Sequence, residues 1–270
     1  AFYDYKKSIK NPNLLKTALL YSQTFNSVIM SFGQDNLISN NGVINEGVIS
    51  TKYGIKGIPN LSEEIQISRD LNILKYTGGK LHIPTISTKE SVDLIKKAKS
   101  NGLDVTCSVA IHNLIFNEEK LKDFDTRFKV SPPLRTEKDR LALVNGVKIG
   151  IIDMVTSDHN PIDIENKKTD IESSLCGTIG LESFFGALLT IFNLDETIKI
   201  LTSGKNRFNI NNTKIEEGLE ADLTLFTIDS NYTFSKSNIL SKSKNSAFLG
   251  MKMTGSPLGI IVKEKYIINE

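Results

Sequence analysis

An aspartate and a histidine, Asp158-His159, stand just past a run of apolar residues and ahead of a glycine-rich turn, Gly177–Glu182. A carboxylate can take up and return a proton or bind a cation, and an imidazole can do the same near neutral pH. Their placement matters as much as their type. Ile151, Ile152, Met154 and Val155 read as a buried parallel strand, so the pair falls at the strand's C-terminal end, where enzymes of alternating strands and helices carry their reacting groups. Hydrogen bonding at the rim of the sheet is the structural alternative for both residues. The remaining chemistry is sparse. His82, between Leu81 and Ile83, reads as a core histidine, and His112 as a loop residue. Cys107 and Cys176 form no CxxC pair and read as reduced thiols. Arg135 in SPPLR reads as half of a structural salt bridge, and GTIGLE has no phosphate-binding spacing.

Elements that would position these groups alternate along the chain, which predicts a mostly parallel sheet wrapped by helices, an α/β fold. Leu14, Leu15, Ala18, Leu19 and Phe25 give residues 13–25 a helical stripe, and Val28 to Met30 is the strand after it. Ser62 is expected to cap a helix reaching Thr77, which stops at Gly78-Gly79 before a strand from Lys80 to Ile86. Ser87-Thr88-Lys89-Glu90 has capping-box spacing for a helix closing at Gly102, followed by a strand from Val105 to Val109. Thr136 is expected to cap the helix that leads into the Asp158 strand. After a helix from Glu196 to Ser203 the pattern changes to short alternating strands at 216–229 and 255–268, with a polar surface loop at 235–245.

Composition narrows the function classes. A net charge of +2 and 24% charged residues, with lysines scattered among acids, give no basic patch for nucleic acid. No apolar run approaches the roughly 20 residues that cross a bilayer. With 39% hydrophobic residues the chain reads as an ordinary globular, cytoplasmic protein.

The motifs resemble one family. TSDHNP followed by GTIGLE is similar to the TDHAPH...GxxGLE signature of the dihydroorotases, cyclic-amide hydrolases of the amidohydrolase superfamily. AFYDYKKSI resembles AFSDDGxPV, FKVSPPLR resembles FKVNPPLR, and the stretches NGVINEGVISTKYGIKGIP and STKESVDLIKKAKSNGLDVT fall in the same collinear order. The resemblance implies a partial (β/α)8 barrel over residues 1–206, about the fourth to the eighth strand, and the C-terminal part of a small β-sandwich over 207–270. Ala1 aligns with the middle of the family pattern, so roughly three strand-helix units are expected upstream. An incomplete barrel is expected to expose an edge at Val28 to Met30 or a neighbouring strand.

The resemblance also implies zinc, held by a His-x-His pair outside these residues and by ligands at later strand ends, with Asp158 as metal ligand and general base and acid. Asp4 survives from the paired acids of the first motif, while Tyr5 replaces its neighbour. Against the motifs SHAED and YHVCHIST, Phe32 and Thr85 occupy positions of ligating histidines. Ser131 and Ile162 occupy substrate-binding positions. Phenylalanine binds no metal, and a neutral hydroxyl is a poor zinc ligand. Weak or absent zinc is therefore expected, with Asp158 and Asp4 as residual ligands. The expected role is a non-catalytic member of pyrimidine biosynthesis that associates with aspartate transcarbamoylase or with itself; the alternative is an active hydrolase converting dihydroorotate to carbamoyl aspartate.

Overall fold

Helix and strand alternate as the apolar periodicity requires in the computed structural model of the chain, which describes residues 1–210 and 214–269. Residues 211–213 and 270, which fall in the expected C-terminal segment 207–270, lie outside the described residues. The strands are β1 (Val28–Met30), β2 (Ile44–Asn45), β3 (Gly57–Ile58), β4 (Lys80–Ile83), β5 (Val105–Ala110), β6 (Met154–Thr156), β7 (Asp222–Thr233), β8 (Lys252–Val262) and β9 (Lys265–Ile268). β1, β4, β5 and β6 lie side by side in that order, all parallel, with Ile29 opposite Leu81, Leu81 opposite Val105 and Val109 opposite Val155. Their C-terminal ends share one edge of the sheet, here called its mouth.

Helices cover the outer face of this sheet. Leu15 and Leu19 on Pro12–Ser22, Ile67, Leu71 and Leu74 on Asn60–Thr77, Val92 and Ile95 on Lys89–Ser100, and Leu143 on Glu137–Lys148 recur at three- and four-residue spacing and pack with Leu81, Ile83, Val105, Cys107 and Val109 in one core. Each such side chain contributes about 1.5–3 kcal/mol of burial, which holds the strand ends in place. Thr88 and Thr136 cap their helices by accepting from the N–H groups of Ser91 and Asp139.

Three of the element ends that differ from the sequence expectation have a local cause. The helix to Thr77 starts at Asn60 behind Pro59, so Ser62 lies inside its first turn and donates to Pro59 O at 2.9 Å rather than capping it. β4 stops at Ile83 because Pro84 has no N–H for the ladder and Thr85 turns to a left-handed φ of 50°. β6 begins at Met154 because the N–H groups of Ile151 and Ile152 both donate to Gly146 O, at 2.9 and 3.0 Å, and so close the preceding helix.

The edge expected to be bare at β1 is extended by Phe2, whose N–H donates to Val28 O while its carbonyl accepts from Met30 N, each at 2.9 Å. Among the described residues β6 is the last strand on the other side. β7, β8 and β9 form an antiparallel sheet, with the β8–β9 turn passing through Lys263 at φ 55°. It joins the rest through the helix Phe184–Leu189, where the Phe185 and Phe226 rings lie 5.1 Å apart. Phe234, Phe248 and Met253 belong to the main core. The 235–245 segment is not purely a surface loop: Leu240 is exposed, but Ile239 and Asn245 are buried, and Asn245 Nδ2 donates to Gly177 O at 3.0 Å. Among the described residues no helix is long and apolar enough to cross a membrane.

Candidate functional site

Four strand ends bring their next residues to the mouth. Beyond β1, Ser31 donates to Asp70 Oδ2 at 2.6 Å, and Phe32 follows with 3% of its surface exposed. Beyond β4, the Thr85 N–H donates to Ser108 Oγ at 3.2 Å, while the buried Thr85 Oγ1 has no hydrogen-bond partner among the described residues. Beyond β5, His112 lies in the short helix Ile111–Ile115, fully enclosed, with neither ring nitrogen hydrogen-bonded among those residues. Burial holds its imidazole neutral, with a pKa pushed down to about 4; the Asp158 charge opposes this shift and the Lys6 charge adds to it.

Beyond β6, Asp158 adopts a left-handed φ of 43° with its carboxylate 8% exposed. Its partner is Lys6, whose Nζ donates to Asp158 Oδ2 at 2.8 Å and to Ser131 O at 2.7 Å. The same ammonium lies 5.6 Å from the centre of the Tyr5 ring, within cation-π range. Lys6 N–H donates to Tyr3 Oη at 2.9 Å, and Lys6 itself has a φ of 52°. Burial raises the phenol pKa of Tyr3 and Tyr5; the Asp158 charge adds to the rise at both, while the Lys6 N–H hydrogen bond opposes it at Tyr3. His112 Nε2 is 3.9 Å from Asp158 Oδ2, beyond hydrogen-bond reach.

His159 points the other way. Its Nδ1 accepts from the Leu181 N–H at 3.2 Å, which assigns the proton to Nε2, 3.4 Å from Ser241 Oγ. Ser241 donates through Oγ and N–H to Glu182 Oε1, at 2.5 and 2.9 Å. These contacts bind the glycine turn to the Asp158 loop, and Gly180 is packed so closely on Ser157 O that a Cβ there would overlap it. Both retained residues thus make rim contacts, Asp158 to Lys6 and His159 to the turn.

Asp4, the other expected ligand, is not brought to Asp158. It is exposed, and its carboxylate is 3.8 Å from Lys7 Nζ. Ser131 offers its carbonyl to Lys6, and Ile162 offers its carbonyl to Ser243 Oγ at 2.7 Å while its side chain lies against Gly177. His82 is a satisfied core residue, bonded to Thr106 Oγ1 at 2.9 Å and to Ser108 Oγ at 3.2 Å. Burial first, then the charges of Arg207 and Lys99, lower its pKa to about 3. Arg135 is enclosed with Glu63 at 3.9 Å and donates to Ser87 Oγ, Asn45 Oδ1 and Ile58 O at 3.0, 2.9 and 2.6 Å. Lys6 is the residue that sequence reasoning missed. The signal was present, because a lysine stands where AFSDDGxPV has its glycine, and it keeps a glycine-like positive φ.

The described donors do not fit a zinc ion. Three or four good ligands are needed. Phe32 offers none, Thr85 offers a neutral hydroxyl, Asp4 is turned to solvent, and Asp158, which already holds an ammonium, has only the unbonded His112 imidazole beside it at 3.9 Å, so no three such donors are grouped among the described residues.

The fold defines the class. The L-hydantoinase (dihydropyrimidinase) from Arthrobacter aurescens superposes over 100% of this chain and 63% of its own, with a TM-score of 0.86 at 23% identity, and a D-hydantoinase (dihydropyrimidinase) from Thermus superposes over 97% and 62% with a TM-score of 0.81. The parallel sheet with its flanking helices therefore has the fold of the matching part of those hydantoinases. Residues 1–91 match the family described as dihydro-orotase-like. The chain is 37% identical to the dihydroorotase of Caldicellulosiruptor saccharolyticus over 99% of its length and 36% identical to that of Acetivibrio thermocellus over 100%. It spans 64% and 65% of those relatives. By these matches the chain is similar to the dihydroorotases over nearly its whole length.

Proposed function

We propose that this chain belongs to a protein of pyrimidine biosynthesis that does not itself hydrolyse dihydroorotate and acts as a non-catalytic partner or scaffold. The observation that carries the reading is Phe32. Its ring is buried at the end of β1, where the dihydroorotase motif has a ligating histidine. Hydrolysis of a cyclic amide needs a polarised carbonyl and an activated water, and a metal ion supplies both in this family. An apolar ring in the ligand shell supplies neither, and it makes the mouth drier.

Asp158 keeps the chemistry of a proton carrier, but its hydrogen bond to Lys6 gives it a structural duty. Aspartate transcarbamoylase is the partner that the resemblance implies, with self-association as the second form of assembly. The test is a dihydroorotate hydrolysis assay on the full chain, with and without added zinc, together with metal analysis. No turnover in a folded sample, and co-purification with a transcarbamoylase from the same source, is the expected result. Zinc-dependent turnover lost in Asp158→Ala would overturn the proposal.

A further inference from the structure

An ionised carboxylate that is 8% exposed needs a counter-charge, because burial without one is strongly unfavourable. At Asp158 that charge belongs to the chain. Lys6 Nζ is enclosed on three sides: by Asp158 Oδ2 at 2.8 Å, by Ser131 O at 2.7 Å and by the face of the Tyr5 ring at 5.6 Å. Its side chain is 14% exposed, so this is an inward-turned ammonium and not a surface lysine swinging past an acid. The backbone agrees. Lys6 holds a φ of 52°, a region that residues with a Cβ seldom occupy, and Asp158 holds 43°. Asp158, Ser131 and the ring of Tyr5 thus surround one ammonium, that of Lys6.

We infer that Lys6 is a tethered cation built into the barrel mouth, which neutralises Asp158 and pins residues 3–7 over the strand ends in the place where a divalent ion would have to sit. The inference rests on the non-catalytic reading but makes a separate claim about what neutralises Asp158. A divalent ion approaching this carboxylate would meet an ammonium within hydrogen-bond distance of the same oxygen, and like charges at that spacing repel strongly where water is scarce. Lys6 must leave before such an ion can bind. If it leaves, the strap from Tyr3 to Lys7 loses its hold on both Asp158 and Ser131.

The full chain is the material for the test, as wild type, Lys6→Met, Asp158→Asn and the double variant. Each is equilibrated with zinc chloride, freed of loose metal, analysed for zinc and unfolded in urea. Wild type and Asp158→Asn are expected to retain the same zinc, because none depends on Asp158. Lys6→Met is expected to raise the unfolding constant about 100-fold, since it strands a buried charge, and adding Asp158→Asn is expected to recover most of that loss. One equivalent of zinc held by wild type and lost in Asp158→Asn would overturn the inference, as would Lys6→Met with wild-type stability. Dihydroorotate turnover persisting without zinc would overturn the non-catalytic reading while supporting a metal-free mouth.

Discussion

Acid should destabilise this protein well above the pH at which its carboxylates titrate, because two of its histidines are buried in the neutral form. His82 and His112 are 2% and 1% exposed, and burial lowers their pKa values from 6.5 to about 3 and about 4. An unfolded chain would protonate both near 6.5. Between that value and the native ones the unfolded state binds more protons, so stability rises with pH and is lost as pH falls through 6.5. At pH 5 each imidazole forgoes roughly 1.5 pH units of proton binding, about 2 kcal/mol, and the two together about 4 kcal/mol. That is a large fraction of the 5–15 kcal/mol typical of a whole domain. The carboxylates that favour the folded state act lower: Glu137, held down to about 2 by its hydrogen bond to Arg140, costs stability only below its ordinary 4.5. Urea midpoints at pH 7.5, 6.5, 5.5 and 5.0, for wild type and His82→Gln, separate the two contributions. The variant should lose about half of the pH slope whatever its absolute stability. A midpoint flat from pH 7.5 to 5.0 would refute the neutral burial of both rings.

Other perturbations read other parts of the site. Gly180→Ala would press a methyl into Ser157 O and push the glycine turn away from the Asp158 loop; a loss of about 1–3 kcal/mol in urea unfolding is expected, with faster amide exchange in residues 177–182. Arg135→Met leaves Glu63 buried beside an apolar chain, for a loss of about 3–5 kcal/mol, and Glu63→Gln in the same chain should return part of it. Burial pushes the Cys107 thiol up to about 12, whereas Cys176 is only half-buried, so native iodoacetamide at pH 8 should label Cys176 and spare Cys107, which labels only after unfolding.

Helices and parallel strands were legible in the sequence wherever burial imposed a period. Leu15 and Leu19, or Val92 and Ile95, face the core because helical spacing leaves them no other side, and Thr88 and Thr136 cap as their spacing requires. What was not legible depends on contacts distant in sequence or on competition between local uses. Ile151 and Ile152 read as strand, yet their N–H groups close the helix before it. Ser241 reads as a polar loop residue, and nothing local says that it will tie Glu182 to His159. The site followed the same rule: the residue types at Phe32 and Thr85 could be read against a motif, whereas the Lys6–Asp158 bond joins positions 152 residues apart.

The substitutions at the mouth are consistent with one another in charge. The motif places two acids and a glycine where this chain has Asp4, Tyr5 and Lys6, so relative to that motif one negative charge has gone and one positive charge has arrived. Phe32 and Thr85 remove neutral ligands and change no charge, and they leave Asp158 as the carboxylate at the strand ends to be balanced. One ammonium balances one carboxylate. Phe32 alone would weaken a metal site and leave a buried acid with a poorly held ion, a costly state in a partly dry pocket. Lys6 alone, set against an intact ligand shell, would face both the ion and its ligands. Together they give a mouth that is neutral without metal, its remaining acid hydrogen-bonded and its strap held down. A mouth balanced in this way keeps its acid paired and its strap held down with no ion present, which is the state that the proposed non-catalytic reading requires.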